Sequence, residues 1–202
     1  MTAGFIPHIL IAGLGNYPLP LTRHSIGHLI IDALAARHSI SLANDRAKGG
    51  LFGTAQVSIE DTPVSLSLFK SKSLMNVSGP SIVSALRQSS KLPSSLILVS
   101  DSLSHRVESL HLRFGGSANG HNGVKSVIKA LGNDDQFYRL RVGIGKNEGV
   151  DAAEYVMRRL SQHERGFWGE EHGEGVDLVM REVGKVMRER VKKGPGLAEL
   201  GI

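Results

Sequence analysis

Two short apolar runs constrain this chain most: His8–Leu14 stops at Gly15-Asn16, and Leu96–Val99 stops at Ser100-Asp101. Runs this short and this apolar read as strands buried inside a sheet, and they are far too short to span a bilayer. Around them the period changes. Ile26, Leu29, Ile30, Ala33 and Leu34 recur at helical spacing and predict a helix over about 24–37, with Thr22 as its cap. Leu51–Ile59 and Pro63–Phe69 alternate, which predicts an antiparallel pair turning at Glu60-Asp61. Ser71–Ser78 reads as a polar loop, Ser81–Gln88 as a helix, and 105–114 as a region able to supply a strand. Phe137–Ile144 alternates and is expected to close the sheet, and Asp151–Leu160 to form a short helix. Val176, Val179, Met180, Val183, Val186 and Met187 trace a last amphipathic helix that should end before Gly194-Pro195-Gly196. Strands and helices alternate throughout, so the expected fold is a single three-layer α/β domain spanning residues 1–202. At 41% hydrophobic residues the chain has material for its core.

Between 110 and 131 lies a second organising stretch. Gly115, Gly116, Gly120 and Gly123 crowd its first half, and Val124, Val127, Ile128 and Leu131 then recur at helical spacing up to Gly132-Asn133. A glycine loop therefore delivers His121-Asn122 to a helix start, where free backbone N–H groups meet polar or anionic ligands. In open α/β sheets ligands gather where strand ends feed their loops. Asn16, Asp101 and the glycine loop are accordingly expected to share one crevice.

Composition narrows the chemistry. The chain has no cysteine, which rules out disulfides and thiolate metal sites and fits a reducing, intracellular setting. Its opening residues, M-T-A-G-F-I-P-H, have neither signal-peptide nor transit-peptide character. A net charge of +5 and a pI near 9.6 favour a polyanionic partner. His24, in T-R-H-S, stands just before the first helix, and Asp101 at a strand end; Asn16, Asn76 and Asn122 occupy other junctions. A neutral histidine takes a proton from water, and an aspartate on its other nitrogen holds the tautomer. Carboxamides both donate and accept, so they suit a carbonyl, a ribose hydroxyl and a water. No G-x-S-x-G elbow is present, so direct attack by water fits better than a covalent route. Taken singly, each of these residues has a blander role as a cap or loop former. G-L-G-N after the first strand is too incomplete for a dinucleotide fingerprint. His163, Glu164, Glu170, Glu171 and His172 lie in a charged, glycine-containing segment without metal spacing, and 163–175 reads as a solvated loop inserted before the last helix. Arg139 and Arg141 share one strand face, pointing to solvent or to a phosphate.

G-L-G-N (13–16), T-R-H-S-I-G (22–27), M-N-V-S-G (75–79), Asp101, G-H-N-G-V-K-S (120–126) and F-Y-R-L-R-V-G-I-G (137–145) occur in this order. Over about residues 8–160 the chain thereby resembles the bacterial-type peptidyl-tRNA hydrolases. The resemblance implies a twisted, mixed sheet between helix layers, usually monomeric and without metal or cofactor. It implies hydrolysis of the ester joining peptide to the 3′-terminal ribose of tRNA, in the cytoplasm or in mitochondria. By the same comparison His24 is the base, Asp101 its orienting acid, and Asn122 and Asn76 the carboxamides that position substrate and water. Asn16 corresponds to the asparagine beside the peptide ester, with Met75 packed next to it. Arg113, Lys125 and Arg141 fall where the family presents basic groups to tRNA phosphates. The segment Tyr17–Leu21 is two residues shorter than the family pattern. An alternative on the same fold is a non-catalytic RNA-binding or splicing factor, a path that plant members are thought to have taken; another is hydrolysis of other N-blocked aminoacyl esters.

Overall fold

The computed structural model describes residues 6–146 and 148–193. The two apolar runs become β1 (His8–Gly13) and β5 (Leu96–Ser102), parallel neighbours in the middle of one sheet. On the other side of β1 lies β4 (Thr62–Ser71), also parallel, followed outward by β3 (Gly50–Ile59) and β2 (Ala43–Asp45), both antiparallel. Beyond β5 come β7 (Tyr138–Gly143), parallel, and β6 (Leu110–Phe114), antiparallel. The order is β2-β3-β4-β1-β5-β7-β6, a mixed seven-stranded sheet. The β3–β4 hairpin turns at Glu60-Asp61 as expected, both residues having positive φ (47° and 61°), the geometry that matches strand twist in a two-residue turn.

Successive residues of β1 and β5 feed opposite layers. Ile9, Ile11, Ile97 and Val99 pack under α1 (Ile26–Arg37), α4 (Ala152–Met157), α5 (Gln162–Gly169) and α6 (Glu174–Lys193). Leu10, Ala12, Leu96 and Leu98 pack under α2 (Gly79–Ser89) and α3 (Asn122–Ala130). Helix α1 lies almost backbone to backbone on β1: a Cβ on Gly13 would sit 2.3 Å from the Gly27 carbonyl oxygen. Only glycine at both positions permits that approach. Among the described residues no helix is long and apolar enough to cross a membrane.

Four expectations need correction. β7 does not close the sheet; it lies between β5 and β6, and the exposed β6 forms the edge. Thr22 caps no helix. Its hydroxyl donates to the Leu19 carbonyl (3.2 Å) and to Ser25 Oγ (3.1 Å), while Arg23–Ser25 form a short 3-10 turn ahead of α1. The segment 163–175 is largely helical rather than a solvated loop. Ser161 and Glu164 form a reciprocal capping box at the start of α5, and Trp168 is fully buried against the core. Finally, Arg139 does not face solvent: it is buried, with its guanidinium held by the glycine loop, as described below. The stop signal Gly194-Pro195-Gly196 lies outside the described residues.

Candidate active site

Asp101, near the end of β5, is buried, and a single oxygen of its carboxylate takes two histidines. His24 Nδ1 lies 2.8 Å from Asp101 Oδ1, and His121 Nε2 lies 2.9 Å from the same atom. The tautomers follow from the neighbours. His121 is the N-cap of α3, its Nδ1 accepting from the backbone N–H of Gly123 (3.1 Å) and Val124 (3.4 Å), so its proton sits on Nε2 and is donated to Asp101. His24 likewise donates from Nδ1, which leaves its Nε2 lone pair free. Burial pushes the Asp101 carboxyl up, but the charge and N–H of His121, then those of His24, more than reverse this and hold it well below the usual carboxylate range.

His24, Asp101 and His121 place three potential ligand atoms within 4.8 Å of one another. To accept a metal, His121 would have to move its proton to Nδ1, where it would face two backbone N–H groups. The helix cap therefore favours a hydrogen-bonding role for this cluster.

The turn that carries His24 is anchored from the far side. Arg23 pairs with the buried Glu164 at 3.0 Å, donates to the Arg159 carbonyl at 3.0 Å and lies over the Tyr155 ring. Across the Tyr17–Leu21 segment the backbone N–H of Asn16 donates to Ser25 Oγ at 3.0 Å, and Leu19 N–H donates back to the Asn16 carbonyl at 2.8 Å. These contacts set Asn16 beside the turn of His24. The Asn16 Oδ1 accepts from the Met75 N–H (2.8 Å), and Met75 is buried below Gly123.

A cleft of about 510 Å³ brings together His24, Asp101, Asn122 and Arg141, walled by the glycine loop on one side and α4 on the other. A smaller pocket of about 260 Å³ adjoins it, sharing His24 and Asn122 and adding Asn16, Met75 and Asn76. Asn76 and Asn122 are exposed there. Lys125 does not line the cleft; with Lys129 it borders a separate depression on the outer side of the glycine loop. Arg113 is exposed on the edge strand β6. Arg139 is buried, and its guanidinium donates to the carbonyls of Gly115, Gly116 (2.7 Å) and Ser117 (2.7 Å), fixing the glycine loop from within. A charge is tolerated there because three carbonyls replace its water.

The structure thus brings His24, Asp101, Asn122, Asn16, Met75, Asn76 and Arg141 together, and adds three contributors that the sequence reading does not single out. His121 was read only as part of the polar pair at a helix start; its role as cap and as second donor to Asp101 depends on a contact across 20 residues. Arg139 was read as a surface group. Glu164 was assigned to a loop, although Ser161-x-x-Glu164 is a capping-box pattern that would have revealed α5.

Comparison with known proteins bears on this geometry. A sequence model of a family described as peptidyl-tRNA hydrolase matches residues 10–194. The chain is 39% identical over 160 residues to the peptidyl-tRNA hydrolase of Leifsonia xyli subsp. xyli, covering 77% of this chain and 80% of the relative. It is 38% identical over 159 residues to that of Geobacillus thermodenitrificans, covering 77% and 82%. Among solved structures, a peptidyl-tRNA hydrolase from Acinetobacter baumannii superposes with a TM-score of 0.74 at 25% identity, covering 93% of this chain and 91% of the other.

Proposed function

Because the chain belongs to the peptidyl-tRNA hydrolase family and is an ester hydrolase acting on peptidyl-tRNA, we propose that His24 is the general base that activates water for ester cleavage. The observation that carries this reading is the 2.8 Å contact of His24 Nδ1 with Asp101, which leaves Nε2 available inside the cleft. Nε2 takes a proton as water adds to the ester carbonyl carbon. The tetrahedral intermediate collapses, the ribose oxygen leaves with the proton held by the imidazolium, and free tRNA and a peptide acid result. Asp101 stays ionised throughout and stabilises the imidazolium, because the two histidine donors on its carboxylate outweigh the effect of its burial.

Asn122, at the start of α3, donates its amide N–H to the developing oxyanion, and Asn76 holds the water and the peptide from the opposite rim. Asn16 has its oxygen engaged by the Met75 N–H and its N–H₂ beside Met157 Sδ at 4.0 Å, which together fix the amide's orientation; the N–H not used there is the one offered to substrate. Arg113, Lys125 and Arg141 contact backbone phosphates and position tRNA without reading sequence. The chain acts as a monomer, since one copy supplies every group named.

The test is release of tRNA from N-acetyl-aminoacyl-tRNA under multiple turnover. His24→Ala should lower kcat by about 100-fold or more, the scale of general-base assistance, with tRNA affinity nearly intact. Unchanged turnover would remove the general-base assignment. Tight tRNA binding by a wild type that never turns over would instead favour an RNA-binding role.

A further inference from the structure

Beside Arg141 the rings of His105 and His111 are stacked, their centroids 3.8 Å apart and their planes within 20°. His111 stands directly opposite Arg141 in the β6–β7 ladder, and Arg113 lies two residues on, so all three share a face of the sheet. Arg141 from β7 is the charged group that acts on the pair, Arg113 follows on β6, and Arg106 and Glu108 belong to the same loop between β5 and β6 as His105. Glu108 is engaged elsewhere, 2.5 Å from His163. Among the described residues no carboxylate is paired with Arg106, Arg113, Arg141 or either histidine. The Nε2 of His105 and the Nε of Arg141 are both buried without a hydrogen-bond partner. Positive groups are thus gathered where acceptors are lacking, a setting that suits an anion.

We propose that the stacked His105–His111 pair is a proton-dependent phosphate site, which holds a tRNA backbone phosphate together with Arg141. This rests on the reading that Arg113 and Arg141 face tRNA. The physical reason is linkage. Burial first, then the charges of His111 and Arg141, hold the His105 imidazole below its ordinary pKa, so the empty site resists protonation. A phosphate beside the rings removes that repulsion. Binding of tRNA therefore takes up a proton, and affinity rises as pH falls, by up to about tenfold per unit for one proton. KM should consequently fall as the solution is acidified.

The test is equilibrium binding of deacylated tRNA to the full chain at pH 7.5, 6.5 and 5.5 and constant ionic strength. Titration calorimetry in two buffers of different ionisation heat counts the protons taken up. The wild type should bind several-fold tighter per unit of acidification and take up a proton. A His105→Gln, His111→Gln double variant should lose the pH gain, and His105→Gln alone should lose most of it. A double variant that retains the wild-type gain would assign the proton to other groups, His24 and His121 included, and overturn the proposal. So would a wild type without any gain. If the double variant does not fold, His105→Gln decides alone: a gain as steep as the wild type's refutes the site. Arg113→Ala should weaken binding at every pH while leaving the gain. If it binds like the wild type while the histidine variants lose the gain, the phosphate role of Arg113 fails and the histidine site stands.

Discussion

His28 lies in α1 with its ring pressed under Gly15, one residue before the site asparagine Asn16. It is only 6% exposed, and its Nε2 has no hydrogen-bond partner. Burial, reinforced by the charge of Lys70, lowers its pKa from 6.5 to about 3. Between those values the unfolded chain binds a proton that the folded chain refuses. The neutral ring's share of stability is therefore fully present above about pH 6.5 and is lost progressively as pH falls toward 3. At about 1.36 kcal/mol per unit, the loss is roughly 2 kcal/mol at pH 5 and approaches about 5 kcal/mol at pH 3. The value at pH 5 requires only that the folded pKa lie well below 5. Urea unfolding at pH 7.5 and 5.0, run on the wild type and on His28→Leu, measures it. The level of stability will differ between the two proteins, but the informative quantity is the change with pH. Histidines common to both, such as His8 and His38, cancel. We expect the wild type to lose about 2 kcal/mol more than His28→Leu on acidification. An equal loss in both would show that His28 takes its proton without unfolding, and the argument from burial would fail.

Two further substitutions test how the site is held. Where α2 begins against α3, a Cβ on Gly79 would lie 2.1 Å from the Ser126 carbonyl oxygen. Gly79→Ala should cost about 1–3 kcal/mol by overpacking, read as a lowered urea midpoint; an unchanged midpoint would mean that the two helices separate freely. Glu164→Gln leaves the Arg23 guanidinium without its buried carboxylate and should destabilise by about 3 kcal/mol. Because Arg23 adjoins His24, kcat should also fall while KM holds, and a variant with wild-type kcat would show that the turn of His24 needs no such anchor.

The strands and helices legible in the sequence are those whose pattern is complete within a few residues. The apolar runs of β1 and β5, the alternating β3–β4 hairpin with Glu60-Asp61 at its turn, and the stripe from Val124 to Val127 all have this property. The helix α5 escaped because its buried residues are few; glycine and charge dominate its composition, and only the Ser161–Glu164 box marks its start. Thr22 misled for the opposite reason. A capping residue type stands where a cap is expected, but its hydroxyl has nearer acceptors in Leu19 and Ser25.

By itself, the sequence determined the layered α/β architecture, the helix start at Asn122 and the family, because periodicity and motif order are local properties of a chain. Only the tertiary structure decided how the charges are used. Asp101 meets His24 across 77 residues and His121 across 20, and both donors reach one oxygen only because β5 ends between the turn before α1 and the cap of α3. The same holds for the two arginines of β7. Arg139 and Arg141 are indistinguishable by spacing and both border the cleft, yet the first is buried with its guanidinium tied to carbonyls of the glycine loop and the second is only half-buried. A side chain's period gives its face, but whether a charge there is buried or offered to a ligand depends on what the rest of the fold lays against it.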